Sequence, residues 1–561
     1  MYVVLTRTSR GISALRLDDA AVPLGDVETM AEAQLPVWAG RVERERPRWV
    51  WDDTTRWYPN LLAAGIRVER CVDLRLSHQI LRASTLTAGS ELANAPVGPW
   101  DHATPLAENP RGGDALFDFD VDPAADAPMD PLAEFALQRA ATATAAEPGR
   151  IGLLLAAESA GALIACEIKF AGLPVNAEVH ESLLAGLLGD RPRGTERPAR
   201  LEALLDRMRT ILGTADVNPD SPAELLKTLR RSGLQVTSTR SWELKDVKHP
   251  VIEPLLEYKK LSRLQTANGW NWLDSWVADG RFRPDYVPGG TATGRWGASG
   301  GGALQLPKQV RGAVVADPGW KLVVADAAQL EPRVLSALSA DRRMAEAGRG
   351  DLYEGIVASG AVKTRAEAKV AMLGAMYGAT AGEGGRLMPA LTRAFPQAIA
   401  MVEDAARAGE RGGVVTTRLG RSSPLPGEAW RELQEGATVP GASDALQRAA
   451  RSQSRSWGRF TRNFIVQGTA AEWALCWMAG LRGRLWQLGA DQSTRARLVD
   501  RPHLVFFLHD EVIVHTPAEL ADGVVAELRA AASEAGRLIF GAIPVDFPIT
   551  TAVVDNYGQA K

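Results

Sequence analysis

Short apolar runs and one helical repeat alternate along the first 84 residues. The runs YVVL (2–5), PRWVW (47–51) and IRVERCVDL (66–74) predict three β-strands, because each is brief and rich in β-branched or aromatic residues. YPNLLAAG (58–65) has helical spacing and ends at a glycine, which predicts a helix between the last two strands. Strands that alternate with helices are typical of an α/β domain.

Helical patterns dominate the middle of the chain. Apolar residues spaced three and four apart predict helices over residues 132–146, 178–189, 198–213 and 221–233. Before them, residues 96–131 hold eight acidic residues, one arginine and many prolines and glycines, which predicts a long acidic loop. Strand-like and helical patterns then alternate through the C-terminal half.

Composition narrows the class of protein only slightly. With 561 residues the chain is too long for one hydrophobic core, so several domains are expected. Three cysteines far apart argue against a disulfide framework or a zinc cluster. Because we find no run of eighteen apolar residues, no membrane span is expected. The net charge of −3 gives no global basic signature, so any nucleic-acid contact has to come from local clusters.

A first candidate for chemistry is the segment KLVVADAAQLEPRVLSALSAD (321–341). LVVA predicts a buried strand that ends at Asp326, and PRVLSALS predicts a helix whose first turn carries Glu331. Pro332 is acceptable in that turn because no amide donor is needed there. Asp326 is therefore either an ordinary turn residue or a carboxylate presented at a strand-to-helix corner, and Glu331 suits the helix dipole in either case.

The segment TRAEAKVAMLGAMYG (364–378) predicts a helix with a basic face. Thr364 and Glu367 form a capping box, which predicts where the helix begins. Every fourth residue after the cap shares one face of the helix: Arg365, Lys369, Leu373 and Tyr377. Two cations at the electropositive end of a helix are slightly unfavourable, so this face is either simply solvated or suited to an anionic partner such as a triphosphate.

The segment RSQSRSWGRFTRNFIVQGTAA (451–471) carries a similar stripe. Its polar residues again recur every four positions: Arg451, Arg455, Arg459, Asn463 and Gln467. The change from cationic to amide side chains suits phosphate contacts that grade into base or sugar contacts, although a plain surface helix would also fit. Because Asn463 and Gln467 stand in an apolar stretch, we expect them to face a groove.

Near the C-terminus, FFLHDEVIVH (506–515) places two acids within an apolar run. LVFFL and VIVHT predict two strands joined by a tight turn at His509, Asp510 and Glu511, and such a turn presents its carboxylates either to solvent or to a cleft. Asp326 and Asp510 each end a buried strand. If they meet, they can hold two Mg²⁺ ions that activate a hydroxyl and neutralise a leaving pyrophosphate, while the basic helix binds a triphosphate.

Together these motifs resemble the DNA polymerase I family, family A, over the C-terminal two-thirds of the chain and in the family's order. The first palm motif of the family reads D-Y-S-Q-I-E-L-R, and DAAQLEPR occupies it here from Asp326. The fingers motif R-x3-K-x3-F-x3-Y-G is matched from Arg365, and the last palm motif H-D-E from His509. Supporting matches are TGR at 293–295, LQ at 304–305, GR at 420–421 and R-x3-N-x3-QGTAA from Arg459.

The resemblance implies roles for the charged residues. Asp326 and Asp510 are implied as ligands of two Mg²⁺ ions, which Mn²⁺ could replace, and Glu511 supports the site. Arg365 and Lys369 are implied to contact the phosphates of the incoming nucleotide, with Lys369 among the catalytic residues.

Other residues acquire binding roles by the same resemblance. Glu331 resembles the gate that excludes a ribose 2′-hydroxyl, and Tyr377 is implied to pack by the nascent base pair. The remaining residues implied at the nucleotide site are Gln329, Tyr353 and Leu373. The residues implied in minor-groove or primer-terminus contacts are Arg295, Arg459, Asn463, Gln467 and His509.

The chain departs from the family pattern at five positions. Ala327 and Ala328 replace the usual Tyr-Ser, and Pro332 replaces an aliphatic residue. Leu373 replaces an aromatic residue that normally lies against the incoming nucleotide, and Tyr353 stands where many relatives have a phosphate-binding histidine. Since the metal carboxylates are all present, we predict that activity survives.

The first 150 residues resemble the family's 3′-5′ exonuclease domain in layout only. That domain needs four carboxylates for two metal ions, beginning with Asp-x-Glu after its first strand, whereas TRT (6–8) follows the first predicted strand here. Its last motif, Tyr-x3-Asp, aligns best with F-x3-R at 135–139. Asp52, Asp53 and Asp73 are leftover candidates. We therefore expect a vestigial proofreading domain retained as a scaffold.

The implied fold class is an α+β multidomain protein, a right-hand polymerase with palm, fingers and thumb preceded by an RNase H-like α/β exonuclease-type domain. The expected divisions are the exonuclease-like domain with its acidic loop (1–150), a helical thumb and connection (151–285), the first part of the palm (286–345), the fingers (346–440) and the second part of the palm (441–561).

The implied function is that of a template-directed, primer-dependent DNA polymerase that adds deoxynucleotides by two-metal nucleotidyl transfer. Its expected partners are primer–template DNA and deoxynucleoside triphosphates, and we expect a monomer without membrane contact in the cytoplasm of a bacterial or phage-infected cell. A polymerase with active 3′-5′ proofreading and a non-catalytic DNA-binding relative remain alternatives. Single-subunit RNA polymerases share the Asp, Arg-x3-Lys and Asp pattern, but Glu331 and QGTAA favour DNA synthesis.

Overall fold

The computed structural model describes residues 1–103, 129–194, 196–302, 306–379, 382–489 and 497–560. Most of the expected acidic loop and the LQ pair at 304–305 therefore lie outside the described residues. The strands are β1 Tyr2–Thr8, β2 Gly11–Leu17, β3 Glu28–Met30, β4 Arg48–Trp51, β5 Arg70–Asp73, β6 Leu173–Pro174, β7 Val277–Ala278, β8 Arg281–Phe282, β9 Tyr286–Val287, β10 Gly297–Ala298, β11 Trp320–Ala327, β12 His503–Leu508, β13 Glu511–Pro517 and β14 Ile549–Val554.

The helices of the first half are α1 Leu35–Val42, α2 Thr54–Ala63, α3 Leu74–Ala83, α4 Glu91–Asn94, α5 Pro131–Ala143, α6 Pro148–Ala171, α7 Ala177–Leu188, α8 Ala199–Leu212, α9 Pro222–Arg231, α10 Ser241–Leu244, α11 Ile252–Asn268 and α12 Trp270–Trp276. Those of the second half are α13 Leu330–Ser339, α14 Arg342–Ala347, α15 Leu352–Ala358, α16 Arg365–Tyr377, α17 Gly382–Ala394, α18 Pro396–Glu410, α19 Glu428–Thr438, α20 Asp444–Leu488 and α21 Ala521–Phe540.

The N-terminal part is built on a five-stranded sheet in the order β3-β2-β1-β4-β5. β1 is antiparallel to β2 and parallel to β4, and β4 is parallel to β5. Successive residues of a strand point to opposite faces, so Trp49 and Trp51 join a core with α1, α2 and α6, whereas Val50 joins one with Phe135 of α5. β1 runs through Thr8, so TRT (6–8) belongs to the first strand and does not follow it as predicted.

Helix α6 connects this sheet to the rest of the molecule. It packs against β5 and α2 on the N-terminal side and against α20 on the other. In the part of the chain that the structure describes, it is the one helix long and apolar enough to cross a membrane by length and composition. That property was not expected from the sequence, but 72% of its apolar window is buried inside the protein, so packing accounts for the apolar surface.

The C-terminal part contains a four-stranded antiparallel sheet in the order β12-β13-β11-β14. Three of its strands, β11, β12 and β13, are the apolar runs predicted from LVVA, LVFFL and VIVHT, whereas β14 was not predicted. Helix α21 packs against β11, β13 and β14. The register places Asp326 opposite Glu511 on one side and Thr550 on the other. This sheet therefore brings residues from three distant segments to one edge.

The helices predicted in the middle of the chain are present in the structure. The helices predicted at 132–146, 178–189, 198–213 and 221–233 form as α5, α7, α8 and α9. The polar stripe at 451–471 lies within the 45-residue helix α20, which packs along α18 and also contacts α16 and α19. The N-terminal half of α20 thus belongs to the same helical layer as the predicted fingers helix α16.

Candidate active site

Asp326 and Asp510 both line one cleft of about 620 Å³ at the edge of the C-terminal sheet. Asp326 lies near the end of β11, and the Ala327 N–H donates to the Asp510 carbonyl at 2.8 Å. His509 adopts a left-handed backbone conformation, φ 59°, which tightens the turn between β12 and β13. The two carboxylates predicted from separate segments are thus brought together.

Glu511 lies beside this pair but is buried, with 3% of its surface exposed. Its carboxylate accepts a hydrogen bond from the Tyr557 hydroxyl. Burial and the negative charge of Glu511 raise the pKa of Tyr557, so this hydroxyl keeps its proton and remains a donor. Glu511 is therefore held as a buried neighbour of the carboxylate pair.

The corner between β11 and α13 is fixed by Arg333, the last residue of the first palm motif. Its guanidinium is almost wholly buried and donates to the carbonyls of Gly348 and Gly350. Gln329 occupies a left-handed conformation before α13, and its side-chain oxygen accepts from the Leu352 N–H at 2.9 Å. These bonds attach the corner to the start of α15.

Glu331 is the centre of a network that joins four predicted site residues. Arg295 forms an ion pair with the Glu331 carboxylate. The Tyr377 hydroxyl donates to Glu331 Oε2 at 3.3 Å, and the Gln467 amide donates to the Tyr377 oxygen at 3.2 Å. Residues from the TGR, palm, fingers and α20 motifs therefore contact one another in sequence across the cleft.

Helix α16 forms the opposite wall, and its predicted capping box at Thr364 and Glu367 is confirmed. Lys369 and Leu373 line the cleft, and Leu373 is 39% exposed. Arg365 lies over the Tyr353 ring, 5.3 Å from the ring centroid. The basic face predicted from the sequence therefore lines the same cleft as the two aspartates.

Sequence reasoning missed the ion pair between Arg365 and Asp351. The two side chains are 2.8 Å apart at the mouth of the cleft. Asp351 stands two residues before Tyr353, a position already singled out in the sequence, and this proximity was the available signal. The site thus contains a carboxylate that pairs with one of the two cations of α16.

Arg459 and Asn463 lie outside this cleft. Arg459 lies against Gly378 at the end of α16, and it lines a second cavity of about 800 Å³ between α17, α18 and α20, together with Arg455. Among the described residues, the Asn463 amide nitrogen is buried without a hydrogen-bond partner. The structure therefore does not bring these two predicted residues to the cleft of Asp326 and Asp510.

His509 lines the cleft between the aspartates and Arg295. Burial lowers its pKa, and the positive charge of Arg295 lowers it further. The imidazole is therefore neutral near pH 7, with one nitrogen donating and the other accepting.

The donor set suits a hard divalent cation. Within the described ranges, no group of three or more His, Cys, Asp and Glu side chains is arranged to hold a metal ion. Mg²⁺ does not require one, because it typically binds one or two carboxylates and completes its octahedral shell with substrate phosphates and water. The Asp326–Asp510 pair fits that requirement.

A carboxylate pair at a sheet edge that shares one cleft with a basic helix is an arrangement suited to metal-assisted phosphoryl transfer. Residues 194–559 match the sequence profile of DNA polymerase family A, and the chain belongs to that family. The chain is 27% identical to a thermostable DNA polymerase I of Thermus filiformis over 58% of its own length and 38% of the relative's. It is 23% identical to DNA polymerase I of Pseudomonas aeruginosa over 71% and 44%. The matched regions thus span less than half of these relatives.

The whole chain also superimposes on a solved structure. The POL domain of Pol1 from M. smegmatis, determined in complex with DNA primer-template and dNTP, matches with a TM-score of 0.68 at 17% identity, covering 100% of this chain and 95% of that one. At this identity the likeness shows the fold, and it includes the N-terminal sheet. The predicted fold class is confirmed.

Proposed function

We propose that the protein is a template-directed, primer-dependent DNA polymerase. The observation that carries the proposal is the pair Asp326 and Asp510 at one sheet edge, facing Lys369 of α16 across a cleft of about 620 Å³. Transfer of a nucleotidyl group depends mainly on positioning and on neutralising charge on the phosphates. Carboxylates on one wall and cations on the other provide both.

Family A DNA polymerases use divalent metal ions. We propose that Asp326 and Asp510 hold two Mg²⁺ ions, with Mn²⁺ as a possible substitute, and that Glu511 supports them. Ions held by these two carboxylates would supply the positive charge that activates a primer hydroxyl and stabilises a leaving pyrophosphate.

The side chains around the carboxylates then bind and orient the substrates. Lys369 and Arg365 contact the triphosphate as cations on one helix face. Glu331 closes the space beside the sugar and, held by Arg295, excludes a ribose 2′-hydroxyl. We place Gln329, Tyr353, Leu373 and Tyr377 around the nucleotide, and His509, Gln467, Asn463 and Arg459 along the primer–template.

A groove of about 1290 Å³ between α9, α11 and the sheet supports a path for duplex DNA. It is lined by four cations, Arg240, Lys259, Lys260 and Arg263, and reaches Leu508 beside the catalytic turn. Phosphate contacts from lysine and arginine supply most of the sequence-independent affinity for DNA. A local basic groove thus compensates for the overall charge of −3.

The predicted domain divisions, a monomeric state without membrane contact, and a bacterial cytoplasmic location are part of the same proposal. The relatives named above are bacterial DNA polymerases I, and a cytoplasmic site of action would give access to the chromosome.

A primer-extension assay tests the central proposal. With Mg²⁺ and deoxynucleotides, the wild type should extend a primed template, and Asp510→Asn should not. Asp522→Asn is the control, because Asp522 is exposed in the first turn of α21. A wild-type protein that binds the template without extending it would instead identify a non-catalytic DNA-binding relative.

The role of Glu331 as a sugar gate is tested by comparing insertion of deoxynucleotides with insertion of ribonucleotides. The wild type should insert deoxynucleotides in preference to ribonucleotides, and Glu331→Ala should reduce that preference. Equal use of both sugars by the wild type would contradict the role proposed for Glu331.

A further inference from the structure

Glu158 is a buried carboxylate that connects the N-terminal part of the molecule to the cleft. It lies in α6 with only 1% of its surface exposed, and it forms an ion pair with Arg421. Burial raises the pKa of Glu158, against the opposing effect of the Arg421 charge. Burying two charges costs free energy unless the two groups are well paired. We therefore expect the side chains of Glu158 and Arg421 to keep a fixed relative position.

Arg421 belongs to a loop that is itself anchored to α20. The Thr417 N–H donates to the Arg421 carbonyl at 2.8 Å. Glu472 of α20 accepts hydrogen bonds from the Thr417 hydroxyl and from the Leu419 N–H. The backbone of the loop is therefore fixed, while the direction of the Arg421 side chain depends on Glu158.

The Arg421 guanidinium lies directly against Gly294. A Cβ atom added at Gly294 would be 2.5 Å from Arg421 Nε, so any side chain there would have to displace the guanidinium. Gly294 has φ 81°, and its N–H closes a turn by donating to the Thr291 carbonyl at 2.9 Å. The Arg421 guanidinium therefore packs against the turn that ends at Arg295 and supports it.

We propose that Glu158 is a positioning residue for the selection of the nucleotide sugar. By fixing Arg421 beneath the turn at 291–295, it sets the direction from which Arg295 reaches Glu331, the proposed sugar gate. This inference rests on the proposed polymerase function, and none of the motifs of the family includes Glu158. Without the Glu158 carboxylate, the buried Arg421 charge would lose its ion-pair partner. The guanidinium that supports the turn would then move.

The test is the isosteric substitution Glu158→Gln. We measure kcat and KM for insertion of one deoxynucleotide and of the matching ribonucleotide on a primed template. The preference for the deoxynucleotide should fall about tenfold, which corresponds to ~1.4 kcal/mol. Most of the change should be a lower KM for the ribonucleotide, and Glu158→Asp should restore part of the preference.

Glu167→Gln is the matched control. Glu167 lies on the same helix and is also buried, but it pairs with Arg482 and not with Arg421. It should lower stability while leaving the sugar preference unchanged. Equal losses of preference in the two variants would overturn the inference, because both would then reflect general loosening of α6.

A double-mutant cycle shows whether Glu158 acts through Arg421. Glu158→Gln should cause no further loss of sugar preference in an Arg421→Gln background. Full additivity would contradict the proposed route. If Glu158→Gln does not fold, Arg421→Lys, which keeps the charge and removes the planar fork, should lower the preference, and an unchanged preference overturns the inference.

Amide hydrogen exchange separates this inference from the proposed function. Exchange in residues 289–297 should be faster in Glu158→Gln than in the wild type and unaffected in Glu167→Gln. A wild type that does not extend a primer defeats the polymerase proposal. Unchanged exchange together with unchanged preference in an active enzyme defeats only the role of Glu158.

Discussion

At the scale of single residues, the ion pair between Arg365 and Asp351 suggests how the cleft limits nucleotide affinity. Asp351 also caps α15 by accepting from the Glu354 N–H at 3.0 Å, and asparagine can serve as the same cap. We expect Asp351→Asn to release Arg365 for the triphosphate and to lower the KM for deoxynucleotides a few-fold with little change in kcat.

Steady-state insertion kinetics provide the measurement. Asp404→Asn, which removes the partner of Arg407 on the surface of α18, should leave KM unchanged. An increase in KM for Asp351→Asn would mean that Asp351 holds Arg365 in its productive position rather than competing for it.

Leu373 leaves part of the cleft wall without an aromatic surface. Its side chain is exposed in the cleft one turn beyond Lys369. Stacking of a base on an aromatic ring is worth about 1–3 kcal/mol, so Leu373→Phe should lower the KM for deoxynucleotides up to about tenfold. The same kinetic assay measures this effect, and a KM that does not fall would show that the nucleotide base lies away from α16.

Whether a contact could be predicted from the sequence depends on how far apart its two residues lie in the chain. The meeting of Asp326, Lys369 and Asp510 in one cleft could be predicted, because their motifs occur in a fixed order. The contacts of Asp351 and Glu158 could not, since Glu158 meets Arg421 across 263 residues and no local pattern encodes that approach. Such contacts depend on the packing of whole elements.

At the scale of elements, two histidines make the C-terminal sheet sensitive to acid. His503 of β12 and His515 of β13 are opposite each other in register and both lie against Trp320. Burial lowers the pKa of His503 to about 4, and burial followed by the neighbouring His503 lowers that of His515. Besides His503, the charges of Asp317 and Arg281 act on His515: Asp317 raises its pKa and Arg281 lowers it.

The sign of the pH dependence follows from the depressed pKa values. Between about pH 6.5 and pH 4 the unfolded chain binds protons that the folded sheet does not, so stability falls as the pH falls through this window. In urea unfolding at a series of pH values, His503→Phe should flatten this slope. His102→Gln, at an exposed histidine, should not change it, and an unchanged slope for His503→Phe would contradict the prediction.

The elements themselves were largely predictable where local chemistry defines their ends. The capping box at Thr364 identified the start of α16, and the strands of the Asp326 and Asp510 segments were recognisable from short apolar runs. The full length of α20 was not predicted, because its 45 residues are held together by packing against α18 and α21. The same is true of α6, whose uniform apolarity reflects contacts on both sides.

At the scale of the whole molecule, Arg482 of α20 links that helix to the N-terminal part of the chain. Arg482 donates to both oxygens of Glu167 and to the carbonyls of Val68 and Glu69. Removing one partner of a buried ion pair typically costs about 3–5 kcal/mol, so Arg482→Gln should lower the free energy of unfolding by about that amount.

Urea unfolding followed by tryptophan fluorescence measures the loss, because several tryptophans lie in the N-terminal core. The control is Arg484→Gln on the same helix, whose partners Glu527 and Glu534 are about one-third exposed. Such pairs contribute about 0–1 kcal/mol, so similar losses for the two variants would exclude a special role for Arg482.

The same docking gives the N-terminal sheet a structural role that does not depend on exonuclease activity. Asp53 caps α2 and pairs with Arg75 at 2.7 Å, while Asp73 accepts from the N–H groups of Thr54 and Leu76. Burial and the charge of Asp53 raise the pKa of Asp73. Two of the three leftover carboxylates are thus occupied in helix caps.

We therefore expect the full chain to leave a mismatched 3′ end intact. A primer labelled at its 5′ end should not shorten with Mg²⁺ in the absence of deoxynucleotides, whereas the same preparation extends a matched primer when they are added. Asp53→Asn should reduce stability without changing this result. Mg²⁺-dependent shortening that disappears in Asp52→Asn or Asp53→Asn would show instead that the domain still proofreads, and that its carboxylates leave their caps when DNA binds.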